Sequence, residues 1–346
     1  MLRRCRTMNC LILLIISFIL VFILISKPLS DNHQENRLEV EKLLLVKLEQ
    51  RNSQRILKIQ TTCKKYNLGI YHDEKRNQEY KYPPAPQYGV FYIDQVHKLS
   101  YCPIYKAGST SWLYNMCLLM NVPELELNSG REQLSTIARR VMPQLDFPEV
   151  ENAMLGALKL LIVRHPFERL LSAYRDKLEN SVAGREHGTL HFYRKYGAMI
   201  VKKYRAKNLT SQKTNEYIRK EGVPAPAGIE PTWQEFVDYL IDTDLANYGD
   251  DHWMPYYLYC TPCSLNYSII AKVETLQQDQ MFIIKKLGEE DQIQPKWRHS
   301  GGEMNASKIY FRQLDRGRID KLYKKFKLDF EMFDYSLEEY YSYASS

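Results

Sequence analysis

The longest hydrophobic run in the chain lies near the amino terminus. No residue from 8 to 26 is charged, and three arginines, Arg3, Arg4 and Arg6, precede the run. Roughly eighteen apolar residues suffice to cross a bilayer, whereas the core of a signal peptide is about 7–15 residues long. We therefore expect a transmembrane signal-anchor over 8–26 and a cytosolic tail over 1–7, because basic residues favour that side. A cleaved signal sequence is the alternative interpretation.

The segment after this run is polar and charged, with leucine and isoleucine at loosely helical spacing. Over residues 27–80 this pattern favours a luminal stem that is helical and is a candidate surface for a homodimer. A proline-rich stretch at 82–86 then opens the rest of the chain. We expect residues 81–346 to form the catalytic domain, since they are numerous enough to bury a large core.

Short apolar runs and helical patterns alternate along this domain. Val90–Ile93 and Leu99–Ile104 predict either a hairpin or two successive strands, and Leu158–Val163 predicts a buried parallel strand. The last two strands each lead through a short polar segment into a helix. This order predicts an α/β fold whose central parallel sheet is flanked by helices. The predicted helices cover 113–120, 122–152, a segment beginning at Pro166, 232–241, 272–287 and 318–327.

Charge and aromatic content narrow the choice of partners. With 48 basic and 41 acidic side chains, the formal net charge is +7. No basic block is interleaved with stacking aromatics, so we expect no nucleic-acid partner. A mildly basic cleft for an anionic nucleotide and an anionic polymer explains the excess. The 26 tyrosines suit stacking on sugar rings, and they suit the rim of an ordinary core as well.

The cysteines after the predicted anchor are Cys63, Cys102, Cys117, Cys260 and Cys263. Cys260 and Cys263 have the spacing of a metal half-site, but the chain has no second CxxC motif, so we expect no bound metal. In an oxidising lumen both are expected to form disulfides, with each other or with other cysteines. The odd number leaves one thiol free or paired between chains. The candidate glycosylation sites are the N-x-S/T sequons at Asn208, Asn266 and Asn305.

A small polar loop follows the second predicted strand and leads into a helix. Its residues are Lys106, Ala107, Gly108, Ser109, Thr110, Ser111 and Trp112. Backbone N–H groups at a helix N-terminus bind phosphate, and glycine permits a close approach. In a nucleotide-binding P-loop the lysine follows the second glycine. Here it precedes the glycine, which would place Lys106 at the mouth of the loop. A plain helix entry with a buried Trp112 is the alternative.

A second candidate anion site follows the strand Leu158–Val163. Ligands of α/β folds bind at the carboxyl ends of strands, which is where Arg164 lies. Ser172 is about two helical turns further on, so it shares a helix face with Arg164. Together they can give one phosphate charge-assisted hydrogen bonds. The residues between them are His165, Pro166, Phe167, Glu168, Arg169, Leu170 and Leu171. We expect Arg169 to pack or form a salt bridge, and His165 either to bind the ligand or to pack.

These two segments resemble those of a known family. Lys106–Trp112 resembles the 5′-phosphosulfate-binding loop of the Golgi carbohydrate sulfotransferases, and Arg164–Ser172 resembles their 3′-phosphate-binding segment. The resemblance is to the branch that contains chondroitin 4-O-, dermatan 4-O- and HNK-1 sulfotransferases. Further shared motifs are His252-Trp253, Cys260–Cys263 and Tyr323–Phe330. The chain departs from the family at Tyr105, where proline is usual, and in reading Ala-Gly-Ser-Thr-Ser where V-A-C-T-N is usual.

The resemblance implies a P-loop-like sulfotransferase fold and a type II enzyme of the Golgi membrane with a luminal catalytic domain. The donor would be 3′-phosphoadenosine 5′-phosphosulfate (PAPS), with no metal, and the acceptor a glycosaminoglycan or glycoprotein glycan. Lys106 would neutralise the oxygen that bridges phosphorus and sulfur. Ser109 and Thr110 would hold the 5′-phosphate, and Arg164 and Ser172 the 3′-phosphate.

The acceptor hydroxyl also needs a base, and histidine suits the pH of the lumen. His252 is the candidate for this role. We expect the carboxylates of Asp250 and Asp251 to raise its basicity, and Trp253 to stack on a sugar. A structural histidine beside a buried tryptophan is the alternative interpretation. Other possible bases are Glu168 and Glu179.

The acceptor that the resemblance implies is the 4-hydroxyl of GalNAc in chondroitin or dermatan. A basic run, Lys202, Lys203, Arg205 and Lys207, is placed to steer an anionic polymer toward the cleft. A solvated helix face explains the same run. The alternative functions are an HNK-1-type glucuronyl sulfotransferase and a non-catalytic glycan-binding protein that kept the fold.

Overall fold

The computed structural model describes residues 39–83, 85–182, 189–205, 217–219, 221–296 and 305–345. The predicted tail and anchor, residues 1–26, lie outside this part of the chain. Among the described residues, no helix is long and apolar enough to cross a membrane. Residues 39–65 form one helix, α1, in agreement with the helical spacing of this segment. The chain divides into two compact units, Met1–Arg51 and Asn52–Ser346, and the sheet and the candidate site lie in the second.

Within the described residues, a four-stranded mixed sheet forms the centre of the second unit. Its strands, in spatial order, are β1 (Tyr92–Asp94), β2 (Leu99–Cys102), β3 (Leu158–Val163) and β4 (Ile269–Lys272). β1 is antiparallel to β2, whereas β2, β3 and β4 are parallel. The hairpin interpretation of β1 and β2 is confirmed, and β3 has its predicted bounds. The predicted parallel sheet is confirmed for β2, β3 and β4, and the hairpin adds an antiparallel edge strand, so the sheet as a whole is mixed.

Strand β4 departs from the sequence-based prediction, which has a helix beginning at Lys272. Its residues pair with β3, with Leu161 opposite Ile270, and are largely buried. A run of three apolar residues, Ile269–Ala271, is too short to show a period, so the local pattern does not separate strand from helix here. The helix begins only at Leu276, after a 3₁₀ turn over Val273–Thr275.

Helices surround this sheet. After α1, those of the described residues are α2 (Ser109–Leu119), α3 (Glu124–Leu127), α4 (Leu134–Val141), α5 (Glu149–Gly156), α6 (Pro166–Lys177), α7 (Thr189–Phe192), α8 (Ala198–Tyr204), α9 (Trp233–Asp242), α10 (Leu245–Tyr248), α11 (Tyr256–Tyr259), α12 (Leu276–Leu287), α13 (Ala306–Phe311), α14 (Arg316–Met332) and α15 (Glu338–Tyr343). The expected helix over 122–152 is three short helices, α3 to α5. Pro166 occupies the first turn of α6, and a capping box of Thr232 and Glu235 begins α9.

Two buried clusters hold these elements together. One joins sheet residues, including Leu161 and Ile270, to Met332 of α14. The other packs Phe167 of α6 with Trp233 of α9 and several further aromatics. Each such side chain contributes about 1.5–3 kcal/mol by leaving water. Helix α6, which follows β3 directly, is therefore held on its buried side while its other face remains available for a site.

Two disulfides tie distant segments of the second unit. Cys63 of α1 bonds Cys263, and Cys102 at the end of β2 bonds Cys260. Cys260 and Cys263 thus pair with other cysteines and not with each other, which was one of the two expected outcomes. Cys117 is the free cysteine of the described residues, and it is buried. In the same residues no group of His, Cys, Asp and Glu is arranged to hold a metal ion.

Candidate functional site

The first part of the site is the turn between β2 and α2. Lys106 and Gly108 both adopt left-handed backbone conformations, with φ of +67° and +75°. This φ is strained for lysine and not for glycine, and strain of this kind concentrates at ligand sites. Gly108 is also the N-cap of α2, and it has no side chain to satisfy the first N–H groups of the helix. Those groups suit an anion.

The side chain of Lys106 reaches helix α6. Its Nζ lies 3.0 Å from Asp176 Oδ2, and the same oxygen lies 3.2 Å from Lys177 Nζ. Burial lowers the pKa of Lys106, and the Asp176 carboxylate opposes that effect. Two lysines therefore share one carboxylate beside the loop. An anion that displaces Asp176 would meet two ammonium groups.

His252 lies in a hydrogen-bonded turn with Asp250. Its Nδ1 is 2.7 Å from Asp250 Oδ1, and Asp250 also accepts a bond of 2.8 Å from the Tyr196 hydroxyl. Burial lowers the pKa of His252, and Asp250 only partly offsets this. Asp250 does act to raise the pKa of His252, as expected, but desolvation outweighs this contribution and the pKa is lowered overall. Burial opposes ionisation of Asp250 too, but the hydrogen bonds from His252 and Tyr196 prevail and hold the pKa of Asp250 below its usual value.

The side chain of Trp253 is not accessible to a sugar. It is fully buried, and its ring packs edge-to-face against Tyr196 and Phe236, with centroids 5.0 and 5.4 Å away. The expectation that Trp253 stacks on an acceptor was wrong, and the alternative of a buried tryptophan is confirmed. Its role is to anchor the turn that carries His252.

The two predicted catalytic residues are brought together although they are distant in sequence. The ring of Tyr105, the residue before Lys106, lies 4.5 Å from the ring of His252. Asp176 and Lys177, the partners of the loop lysine, are close enough to His252 to influence its pKa. Lys106 and His252 therefore belong to one site, with the pair Asp176 and Lys177 beside both.

Arg164 completes the site on the other side of the loop. It follows β3, its Nη1 donates to the carbonyl oxygen of Lys106 at 3.4 Å, and its Nη2 lies 3.4 Å from Glu168 Oε2. Ser172 is half-buried on α6, about two turns along the helix from Arg164. Arg164 is thus adjacent to the Lys106 loop, as two segments that hold one ligand require.

Comparison with known protein sequences shows the family to which the chain belongs. A profile described as "Sulfotransferase family" matches residues 90–336, most of the chain. The chain belongs to the sulfotransferase family. This sulfotransferase is 30% identical to carbohydrate sulfotransferase 11 of Rattus norvegicus. The alignment of 258 residues covers 72% of the chain and 67% of that relative. It is 26% identical to carbohydrate sulfotransferase 9 of Homo sapiens. That alignment of 313 residues covers 88% of the chain and 65% of the relative.

A third relative is carbohydrate sulfotransferase 14 of Danio rerio, 25% identical over 249 residues, or 71% of the chain and 62% of the relative. The chain spans about two thirds of the length of these relatives. No solved structure matches it significantly. Family membership and these relatives together identify the sulfotransferase as an enzyme that sulfates carbohydrates.

Several predicted binding residues of the sulfotransferase are part of its core. The buried ones are Ala107, Ser111, Trp112, Pro166, Phe167, Arg169, Leu170 and Leu171. Their side chains pack in the core, so any contact of these residues with a donor would be made by backbone N–H groups. The buried Trp112 of the plain helix entry is confirmed. Among the predicted binding residues, the partly exposed ones include Lys106, Ser109, Thr110, Arg164 and Ser172.

Arg169 is buried because its guanidinium serves three backbone carbonyls. Nε donates to Tyr105 at 3.0 Å, Nη1 to Met254 at 2.6 Å and Nη2 to Asp251 at 2.9 Å. The first carbonyl precedes Lys106, and the other two flank His252. The expected packing role of Arg169 is confirmed, and its partners are backbone carbonyls and not a carboxylate. Arg169 therefore fixes the Lys106 loop relative to the His252 turn.

The two other candidate bases are already engaged. Glu168 accepts hydrogen bonds from the hydroxyls of Tyr340 and Ser307, in addition to its ion pair with Arg164. Glu179 is buried and accepts a hydrogen bond from the Tyr310 hydroxyl. These contacts favour the carboxylate as a structural acceptor, so His252 remains the better candidate.

Sequence reasoning missed Asp176 and Lys177. A signal was present, since Asp176 lies one helical turn beyond Ser172 and so shares its face of α6. Of the predicted glycosylation sites, Asn266 and Asn305 are exposed, and Asn208 lies outside the described residues.

Proposed function

We propose that this enzyme transfers the sulfuryl group of PAPS to the 4-hydroxyl of GalNAc in chondroitin or dermatan. The observation that carries the proposal is the meeting of the Lys106 loop, Arg164 and His252 in one site. A cation beside an anion cradle, a second cation for a distal phosphate and a base are the groups that sulfuryl transfer from a nucleotide donor needs. The acceptor class rests on the resemblance of the sequence.

The donor would be held at both of its phosphate ends. Arg164 and Ser172 would bind the 3′-phosphate, while Ser109, Thr110 and the first N–H groups of α2 would bind the 5′-phosphate. Lys106 would leave Asp176 and neutralise the bridging oxygen. Asp176 would keep Lys177 as its partner, so its carboxylate would not be left buried and unpaired.

The acceptor hydroxyl would attack sulfur in line with the bridging oxygen. Because the Nδ1–H of His252 donates to Asp250, Nε2 is the basic nitrogen and would take the hydroxyl proton. The new bond joins the sugar oxygen to sulfur. The bond from sulfur to the bridging oxygen breaks, and its electron pair leaves with 3′,5′-bisphosphoadenosine. Positioning and electrostatic stabilisation would supply most of the rate.

The pH dependence tests the base. Because burial lowers the pKa of His252, we expect kcat/KM to fall toward acid with a midpoint below pH 6.5, the ordinary value for histidine. Protonated His252 cannot accept the hydroxyl proton, so activity is lost as the pH drops through its pKa. His252→Gln should lower kcat by about 10²–10⁴ and remove this acid limb. The exposed His72→Gln is the control, and an acid limb that survives in His252→Gln would assign the base elsewhere.

The acceptor is tested with labelled PAPS and a panel of desulfated chondroitin, desulfated dermatan and glucuronyl-terminated oligosaccharides. We expect product analysis to find 4-sulfated GalNAc, with activity that rises with chain length and falls with salt. Sulfation of short glucuronyl-terminated acceptors alone would favour the HNK-1-type function. Absence of transfer, together with retention on immobilised bisphosphoadenosine, would indicate a glycan-binding protein that kept the donor site.

The structure leaves fewer residues of the basic run available to steer the polymer. Arg205 bonds both carboxylate oxygens of Glu235 and the carbonyl of Glu230, so it is removed from the run. Lys203 is exposed beside Asp242, Lys202 is exposed on the last turn of α8, and Lys207 lies outside the described residues. Exposed pairs of this kind are weak, so both lysines still act at long range.

We expect the double variant Lys202→Ala/Lys203→Ala to lose most of the dependence on chain length at low salt. The matched control is Lys285→Ala/Lys286→Ala, an adjacent exposed pair on the last turn of α12. Equal effects in both double variants would mean that only net charge matters.

For the cell, we propose a single-pass type II protein of the Golgi membrane with its catalytic domain in the lumen. The uncharged run 8–26 and the two disulfides support this placement. Glycosylation at Asn266 and Asn305 fits their exposure. A homodimer through the stem remains part of the proposal.

A further inference from the structure

The carboxyl-terminal segment, residues 333–345, contacts the Arg164 segment. Its residues 337–345 lie beyond residue 336, where the match to the sulfotransferase family ends. Helix α15 nevertheless packs against α13 and α14, and it brings Tyr340 to the start of α6. The segment is therefore placed to act on a donor site whose residues all lie within the family match.

Tyr340 is the residue of this segment that makes the contact. Its side chain is buried, and its ring stacks on the ring of His165 with centroids 4.7 Å apart and an interplanar angle of 24°. Its hydroxyl lies 2.9 Å from Glu168 Oε1 and 3.1 Å from His165 Nδ1. The hydroxyl has one proton and donates it to Glu168, so its approach to His165 Nδ1 accompanies the ring stacking and is not a second hydrogen bond.

His165 is held in a single orientation by its neighbours. Its Nε2 is 3.0 Å from the carbonyl oxygen of Ser336, so Nε2 carries the proton. Nδ1 is then an acceptor, and it receives the Phe167 N–H at 3.2 Å as the N-cap of α6. Burial lowers the pKa of His165, which agrees with a neutral ring. With both nitrogens occupied, His165 packs and does not bind phosphate.

Glu168 contacts both Tyr340 and Arg164. One carboxylate oxygen of Glu168 accepts from Tyr340, while the other lies 3.4 Å from Arg164 Nη2. Arg164 Nη1 in turn donates to the carbonyl oxygen of Lys106. A continuous series of polar contacts therefore runs from the carboxyl-terminal segment to the loop that carries the lysine.

We propose that Tyr340 is a positioning residue that orients Arg164 through Glu168, so that the carboxyl-terminal helix sets the enzyme's preference for a nucleotide with a 3′-phosphate. This inference rests on the proposed role of Arg164 in binding that phosphate. The hydroxyl does not touch the donor. It holds the Glu168 carboxylate in place. Glu168 then pairs with one side of the Arg164 guanidinium, and the remaining N–H groups of Arg164 are available to a ligand.

The test is Tyr340→Phe, which keeps the stacked ring and removes the hydroxyl. Calorimetry on the purified full-length protein measures binding of 3′,5′-bisphosphoadenosine and of adenosine 5′-phosphate. We expect binding of the bisphosphate to weaken about tenfold, because a hydrogen bond to a charged group is lost, and binding of the monophosphate to change less than about twofold. In turnover the KM for PAPS should rise while kcat at saturation is retained.

Tyr343→Phe is the matched control, since its hydroxyl lies on the same helix and bonds the exposed Glu339. Glu168→Gln should reproduce the tenfold loss, and it keeps the proposal testable if Tyr340→Phe folds poorly. A wild-type protein without preference for the bisphosphate would overturn the assignment of Arg164 and this inference with it. A wild-type preference that persists unchanged in Tyr340→Phe and Glu168→Gln would overturn the positioning role alone.

Discussion

Lys106→Ala is expected to lower kcat for sulfuryl transfer by about 10²–10³, because preorganised charges at a leaving group are typically worth that much. The protein should remain folded. Asp176 keeps Lys177 as a partner at 3.2 Å, so the substitution does not leave a buried carboxylate alone. Turnover with labelled PAPS at saturating donor and acceptor measures the effect, and thermal melting measures the fold.

Lys285→Ala is the matched control for Lys106→Ala. Lys285 is exposed, and its ion pair with Glu290 has little energetic value. A Lys106→Ala enzyme that keeps more than about a tenth of wild-type kcat would mean that the lysine does not stabilise the leaving group. A large loss of kcat together with a lowered melting temperature would assign Lys106 to the fold instead.

Arg169→Met should destabilise the enzyme by at least about 3 kcal/mol. The substitution keeps an unbranched apolar stem but leaves the buried carbonyls of Tyr105, Asp251 and Met254 without their donor, and an unsatisfied buried polar group costs about 1–3 kcal/mol. Denaturant unfolding and the secreted yield report the loss. Arg169→Lys should recover only part of it, because one ammonium cannot reach three carbonyls in the planar geometry of a guanidinium.

The control for Arg169→Met is Arg131→Met, the same substitution at an exposed position. Its effect should stay within about 0.5 kcal/mol. Because Arg169 joins the Lys106 loop to the His252 turn, the folded fraction of Arg169→Met should also turn over more slowly than wild type. A stable Arg169→Met protein would refute the packing role, and weakened binding of PAPS by that stable protein would return Arg169 to the donor site.

Features with a local cause could be predicted from the sequence. The strand Leu158–Val163 is an apolar run long enough to recognise, and Pro166 can stand only near the start of a helix. The turn at Gly108 needs a residue that tolerates positive φ, so the glycine in the sequence indicates where the turn lies. The segments that carry Lys106 and Arg164 were placed correctly for this reason.

Features that depend on burial could not be read locally. The neighbours of His252 are carboxylates in the sequence, and their proximity argues for a raised pKa. The fold buries the ring beside Tyr105 and Phe192, and desolvation then lowers the pKa. Trp253 shows the same limit, because a tryptophan beside a polar turn is compatible with a sugar platform or with a core, and only packing decides.

The amino-acid sequence sufficed for the α/β class, the family and the position of the two candidate ligand-binding segments, since these follow from hydrophobic runs, from glycine and proline, and from short motifs. The tertiary structure alone decided the pairing of Cys102 with Cys260 and of Cys63 with Cys263, the antiparallel edge of the sheet, and the contact of Tyr105, the residue before Lys106, with His252. Each of these joins residues far apart along the chain. Their contacts form only when the whole core packs, and no local pattern records which partners it brings together.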